Sequence, residues 1–258
     1  MQPLLPSSSS DDAAVARHLA EETGSLLLRL RHGHDGSTDL RTAGDRTAQA
    51  FLANRLSELR PEDAVLSEEA ADDIARLTSP RVWLVDPLDG TREYAEGRRD
   101  WAVHVALWES GDLVAGAVAI PDRGMTLATD SPSRVPPRAP GPSRVTVSRS
   151  RPDSAVLSAL AALGADVIPW GSAGFKAATV VVGETDAYVH AGGQYEWDSA
   201  APVAVARSAG LHASRLDGSP LMYNAANPYL PDLVICRPEL ADELMLALRD
   251  AVTVGAAR

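Results

Sequence analysis

Asp86 and Asp89 end an apolar run, Trp83-Leu84-Val85, and only Pro87 and Leu88 separate them. Two carboxylates confined to one small volume repel each other, and a bound cation removes that cost. Gly90 allows a sharp turn behind them, and Thr91 supplies a hydroxyl. Two further acids fall at the ends of predicted elements: Glu68 after the strand Ala64-Val65-Leu66, and Asp198 at the head of a helix. Element ends are where a backbone can aim side chains into a shared cleft. An oxygen-only donor set without a His or Cys cluster suits Mg²⁺ better than Zn²⁺. Two such ions can hold a phosphate, activate a water and stabilise a leaving oxygen. The spacing therefore predicts a site for hard cations, one that could hold a phosphate.

Two stretches could hold an anion. Gly171-Ser172-Ala173-Gly174-Phe175-Lys176 presents small residues and free N–H groups at a helix start. Ser148-Arg149-Ser150-Arg151 follows a strand and offers hydroxyls and guanidinium forks. Each has a plainer reading, since glycine before a helix is common and a basic loop is usually just solvated. Asp45, in the first turn of a helix predicted from Thr42 to Leu59, is equally well explained as a charge on the helix dipole. His104 and His190 lie on apolar strands and read as satisfied core residues.

The elements that must position these residues follow from periodicity. A first helix starts near Ser10, with Asp11 and Asp12 on its positive end, and carries Val15, Leu19, Leu26, Leu27 and Leu30 at helical spacing. After the Glu68–Glu69 corner an acidic helical stretch is expected to about Leu77. Arg81–Val85 is a strand, Trp101–Trp108 and Leu113–Ile120 form a hairpin, and Met125–Ala128 adds a further strand. Residues 131–143 contain five prolines and no periodicity, and read as a connector between an N-terminal α+β subdomain (1–130) and a C-terminal α/β subdomain (144–258). In that second part strands at Val145–Val147, Asp166–Trp170, Ala187–His190 and Leu233–Cys236 alternate with helices at Ser154–Leu163, Ser172–Val182, Asp198–Ala209 and from Pro238. A hairpin is expected to turn at Asp217-Gly218. The fold class is α/β, with an α+β first half.

The chain has 258 residues, 45% hydrophobic and 23% charged, as in an ordinary globular protein. A formal charge of −11 argues against a nucleic-acid polymer or an anionic membrane surface as partner. It leaves room for a small anionic substrate, because bound cations reverse the local sign. The single cysteine, Cys236, fits a reducing compartment. With no basic, apolar leader at the N-terminus and no long apolar run, a cytoplasmic protein is expected.

Trp83 to Thr91 (WLVDPLDGT) and Glu196 to Ala201 (EWDSAA) together resemble the two signature motifs of the inositol monophosphatase superfamily. Leu66-Ser67-Glu68-Glu69 is similar to its Gly-Glu-Glu element, with Ser67 in place of glycine. Gly90-Thr91-Arg92-Glu93-Tyr94 resembles the 3′(2′),5′-bisphosphate nucleotidase (CysQ-type) branch, and Ser148–Arg151 and Ser172–Lys176 are similar to its nucleotide-holding loops. The resemblance implies a layered α-β-α-β-α sandwich that hydrolyses 3′-phosphoadenosine 5′-phosphate to AMP and phosphate, clearing a by-product of sulfate assimilation. It implies two or three Mg²⁺ ions and inhibition by Li⁺. Glu68, Asp86 and the carbonyl of Leu88 would hold one ion. Asp86, Asp89 and Asp198 would hold a second, and Glu69 a further, weaker one. Thr91, held by Asp45, would orient the attacking water. Gly90, Thr91, Ser148, Arg151, Ser172, Lys176 and Asp198 would contact the substrate. A homodimer is compatible with the resemblance.

Rival readings share parts of this pattern. In a haloacid-dehalogenase-type phosphatase the motif also ends Asp-Gly-Thr, but its acids are two residues apart and the first is a covalent nucleophile. The three-residue spacing here favours direct attack by water. An inositol-1-phosphate or fructose-1,6-bisphosphate phosphatase is the nearest alternative substrate class, and a non-catalytic nucleotide or metal sensor the alternative of another kind. Replacing Asp89 by Asn is expected to relieve carboxylate repulsion and to leave stability intact.

Overall fold

The computed structural model describes residues 11–36 and 38–255. Two five-stranded sheets are stacked with helices outside and between them, giving the α-β-α-β-α layering expected. The first sheet has the order β1 (Ala64–Ser67), β2 (Arg81–Asp89), β3 (Ala102–Glu109), β4 (Asp112–Ile120), β5 (Met125–Ala128). Its β1–β2 pair is parallel and the rest antiparallel. The second sheet runs β7 (Asp166–Trp170), β6 (Arg144–Ser148), β8 (Ala187–Tyr195), β10 (Tyr229–Cys236), β9 (His212–Ser214).

Strand alternation assigns each sheet face to a different core. On β2, Trp83 and Val85 face α1 (Asp12–His32) and α2 (Leu40–Leu59), in one cluster with Leu19, Leu27, Leu52 and Leu56. Val82 and Leu84 face the other way, into the middle layer formed by α5 (Ala173–Val181) and α6 (Glu196–Ser208). Covered on both faces, β2 reads as an unbroken apolar run. Alanines on α6 let it fit between the sheets. A side chain at Gly116 of β4 would lie 2.7 Å from the Cβ of Ala204, so glycine is needed there. The outer layer of α4 (Ser154–Ala162) and α7 (Ala241–Gly255) closes a third cluster over Val145, Val147, Val189 and Val234.

Several boundaries differ from expectation. Ser10 lies outside the described residues, and Asp11 caps α1 by accepting from the Ala13 N–H. Helix α2 starts at Leu40 because Asp39 caps it, so Asp45 sits beyond the first turn and away from the dipole that would explain it. The acidic stretch after Glu69 has no apolar stripe to bury and forms only a 3₁₀ turn at Ile74–Thr78. Asp217-Gly218 lies in a tight turn, but β9 finds its antiparallel partner in β10 after a longer irregular path, not in a two-residue hairpin. Among the described residues no helix is long and apolar enough to cross a membrane.

Candidate active site

In a regular strand residues three apart point to opposite faces. Asp86 and Asp89 escape that rule because β2 bulges between them. Asp86 pairs with His104 and Asp89 with Ala102, so three steps on β2 match two on β3. Pro87 has no N–H to give the ladder, and the Leu88 N–H bonds to Asp86 Oδ1 at 3.0 Å. Both carboxylates therefore turn to the same side. Glu68 joins them through the parallel β1–β2 register, which sets Ser67 against Val85 and carries Glu68 alongside Asp86. Asp198 arrives from the first turn of α6, where its Oδ2 accepts the Tyr195 N–H at 2.6 Å. Asp86, Asp89 and Asp198 each bring a carboxylate oxygen to within 4.8 Å of the others.

The four acids are not electrostatically equivalent. Burial pushes the Asp86 carboxyl well up, reinforced by the charges of Glu68, Asp89 and Asp198. Glu68, exposed at the rim, is raised to about 7 by lost hydration and then by Asp198. Asp198 is raised to about 6 by burial and then by Asp89. Asp89 goes the other way. Burial pushes it up, but the His104 ring, the Lys176 ammonium and the Ser172 hydroxyl more than reverse this and leave it at about 2. Its Oδ2 accepts from the Ser172 hydroxyl, from Gly174 N at 2.7 Å, and faces His104 Nε2 at 3.1 Å. The ring's Nδ1 lies 3.1 Å from the Trp197 carbonyl oxygen, so it must be the donor there. His104 is thus fully buried, as its apolar strand suggested, but it braces a member of the acid cluster.

The donor set fits a hard cation. It is all oxygen, and Asp86 Oδ2 is a buried acceptor without a hydrogen-bond partner among the described residues. A cation bound among them would offset the burial and mutual repulsion that raise these acids.

Thr91, at the head of α3 (Thr91–Ala95), stands beside the cluster. Its hydroxyl lies 3.2 Å from Asp45 Oδ1 and 3.1 Å from the Leu88 carbonyl oxygen. Asp45 can reach it because Gly44 lets α2 approach: a Cβ there would be 2.8 Å from Leu88 Cδ2. Burial, and then the Glu69 charge, push Asp45 to about 6. Gly90, with φ +88°, makes the turn that starts α3.

One cleft collects nearly every residue singled out in the sequence: Glu68, Asp86, Leu88, Asp89, Gly90, Thr91, Ser148, Arg151, Ser172, Lys176 and Asp198. Asp45 stands behind Thr91, and Glu69 lies outside the cleft lining. Lys176 Nζ is buried, with bonds of 3.0 and 2.6 Å to the Gly171 and Ser172 carbonyl oxygens, and burial lowers it to about 8. Arg149, expected to offer its guanidinium to an anion, instead pairs with Glu93 and Glu96. His190 and Gln194 also line the cleft, as do Arg92, Glu93, Ser150 and Tyr188. His190, read as core, is buried with Nε2 2.9 Å from the Gly193 carbonyl oxygen. Gln194 gave no signal in the sequence, because nothing local marks which face of β8 meets the cleft.

The family model for "Inositol monophosphatase family" matches residues 10–253. The chain belongs to the inositol monophosphatase family. Members of this family are metal-dependent phosphatases, in agreement with the acid cluster. A 3′-phosphoadenosine 5′-phosphate phosphatase of Mycobacterium tuberculosis (strain CDC 1551 / Oshkosh) is 51% identical over 241 residues, spanning 89% of this chain and 90% of that protein. The 3′(2′),5′-bisphosphate nucleotidase CysQ of Escherichia coli (strain K12) is 32% identical over 200 residues, 73% of this chain and 81% of that one. Among solved structures, the extragenic suppressor protein suhB from Bartonella henselae superposes with a TM-score of 0.77 at 24% identity, covering 93% of this chain and 99% of that one. The inositol monophosphatase fold thus extends over nearly the whole chain.

Proposed function

We propose that the protein is a Mg²⁺-dependent phosphomonoesterase that removes the 3′-phosphate of 3′-phosphoadenosine 5′-phosphate, leaving AMP and phosphate. The observation that carries this reading is the meeting of the acid cluster with Arg151, Ser148 and Ser172 in one cleft, on a chain half identical to a phosphatase named for that substrate. One ion would be held by Glu68, Asp86 and the Leu88 carbonyl, a second by Asp86, Asp89 and Asp198, and a weaker third by Glu69. Bound there, the ions supply positive charge to the phosphoryl oxygens and acidify a water enough to attack near neutral pH.

The chain's own groups do the rest. Thr91 Oγ1 accepts a hydrogen bond from the attacking water while its own hydrogen points to Asp45 Oδ1. As the water oxygen bonds to phosphorus, its proton passes through Thr91 to Asp45, whose raised carboxyl suits a base near the working pH. The bond from phosphorus to the ribose 3′-oxygen breaks, and that oxygen leaves with the electron pair and takes up a proton from solvent water, to which Asp45 later returns its own. Arg151 and Ser148 hold the rest of the substrate, Ser172 lines that side of the cleft with its hydroxyl donated to Asp89, and Gly90 lets the backbone approach. The reading places the activity in the cytoplasm, clearing a by-product of sulfate assimilation.

The test compares kcat/KM for 3′-phosphoadenosine 5′-phosphate, inositol-1-phosphate and fructose-1,6-bisphosphate in Mg²⁺. The nucleotide should lead inositol-1-phosphate by about 100-fold, since a site built to pair a second anionic group rejects an analogue lacking it, and it should also lead fructose-1,6-bisphosphate, whose second phosphate stands at a different spacing from the scissile one. A preference for either sugar phosphate refutes the substrate assignment. Full activity in EDTA refutes the metal, and a trapped phosphoryl-Asp86 refutes direct attack.

A further inference from the structure

Both halves of the cleft must keep one spacing, because Glu68, Asp86 and Asp89 come from the first sheet and the Ser148–Arg151 and Gly171–Ser172 loops from the second. A partly buried contact joins them. Glu93, two residues beyond Thr91, is 6% exposed. Its Oε1 accepts from Arg149 Nη2 at 2.7 Å and Nε at 3.2 Å, and Arg149 Nη2 also reaches Glu96 Oε2 at 3.1 Å. The Arg149 N–H bonds to the Trp170 carbonyl oxygen at 2.9 Å, tying the end of β6 to the end of β7. The Glu93 side chain then lies flat on the next residue: a Cβ at Gly171 would sit 2.3–2.5 Å from Glu93 Cγ, Cδ and Oε1. The Gly171 N–H donates to Asp100 Oδ2 at 2.8 Å, and Arg98 holds Asp100 through two bonds of 2.8 and 2.9 Å.

We propose that Arg149 and Glu93 are positioning residues that set substrate specificity: their ion pair fixes the Ser148–Arg151 loop above the acid cluster at the height a second anionic group requires. The guanidinium between Ser148 and Ser150 carries no charge to spare for substrate, because two carboxylates consume it. It leaves Arg151, which lines the cleft with no carboxylate partner among the described residues, to meet that anion. The inference rests on the proposed bisphosphorylated substrate. It adds that the selectivity is held by a pair whose charges are spent on each other and not on the substrate.

The test uses Arg149→Met, Arg149→Lys and the double variant Glu93→Gln/Arg149→Met, each with full-length Mg²⁺-loaded protein. Substrates are 3′-phosphoadenosine 5′-phosphate and adenosine 3′-monophosphate, which shares the scissile ester but lacks the second phosphate. Arg149→Met should raise KM for the bisphosphate about 10-fold or more, as a displacement of about 1 Å does, and leave kcat and the monophosphate constants within about twofold. Arg149→Lys, keeping one charge-assisted bond, should fall between. The double variant should be no worse than Arg149→Met, because the two residues act as a unit. Amide hydrogen exchange across 148–151 should quicken in Arg149→Met irrespective of substrate. Equal losses on both substrates, or unchanged KM, overturn the specificity role. Unchanged exchange overturns the clamp itself. Should the wild type show no preference for the bisphosphate, the substrate reading falls, and the exchange result still judges the clamp.

Discussion

Asp89→Asn and Asp86→Asn are near-isosteric changes three residues apart, and the structure assigns them opposite effects on the metal-free protein. Considering repulsion alone, both substitutions should be harmless or helpful. Asp89, however, is the one member of the cluster whose negative charge is favoured. The Ser172 hydroxyl, the Gly174 N–H and the His104 ring converge on its Oδ2, and its carboxyl lies at about 2 instead of 3.8. A depressed carboxylate contributes stability that is present above the unfolded value and lost as pH falls through the folded one. A shift of this size corresponds to about 2 kcal/mol at neutral pH. That matches in size the loss of hydrogen bonds to a charged group. For a chain of this length Asp89→Asn should lower the melting temperature of chelator-dialysed protein by about 4–8 °C at pH 7.5. Asp86 has no such cradle, since burial and three neighbouring acids push its carboxyl well up. Asp86→Asn should therefore melt at or above the wild-type temperature, although both variants should lose the stabilisation expected of the proposed Mg²⁺ in the parent. Calorimetry in EDTA and then in Mg²⁺ separates the two effects. An Asp89→Asn protein as stable as wild type without metal would refute the cradle and restore simple repulsion as the governing effect.

Glu68, Asp198 and Asp45 are raised to about 7, 6 and 6, so the folded metal-free protein binds more protons than the unfolded chain near those values. Its stability should fall as pH rises from about 4 to 7, and saturating Mg²⁺ should flatten that slope by displacing the protons; a metal-free melting temperature that climbs over this range contradicts the assignment. In Mg²⁺-loaded enzyme, Asp45→Asn should lower kcat about 100-fold or more and abolish the acid limb of the rate profile, as loss of a general base does. A variant retaining the wild-type profile removes Asp45 from proton transfer. Gly174→Ala would place a Cβ 2.0 Å from His104 Nε2, and the forced repacking should cost about 1–3 kcal/mol in urea denaturation; an unchanged midpoint would show that the ring has room to move.

Much of the site was legible in sequence because its pieces are short. The Asp86–Thr91 motif, Glu68 at a strand end and Asp198 at a helix start are each defined within a few residues. The helix expected after Glu69 failed because acidic composition allows a helix without supplying a face to bury. Arg149 was misread for a related reason: a basic residue in a loop looks free until its partners, over 50 residues away in the chain, are known.

Residue type and order alone therefore determined the chemistry available here: an oxygen-donor metal site, a hydroxyl beside it and basic loops for an anion. Tertiary structure decided which charges are spent and which remain. Asp45 meets Thr91 across 46 residues, Ser172 meets Asp89 across 83, and Glu93 meets Arg149 across 56. No local pattern encodes such pairings, because they arise where a bulge turns Asp89, a parallel register carries Glu68, and missing side chains at Gly44, Gly171 and Gly174 let distant elements touch. The sequence supplies the charges, but only packing sets their distances, and distance is what separates a mutual repulsion from a metal site.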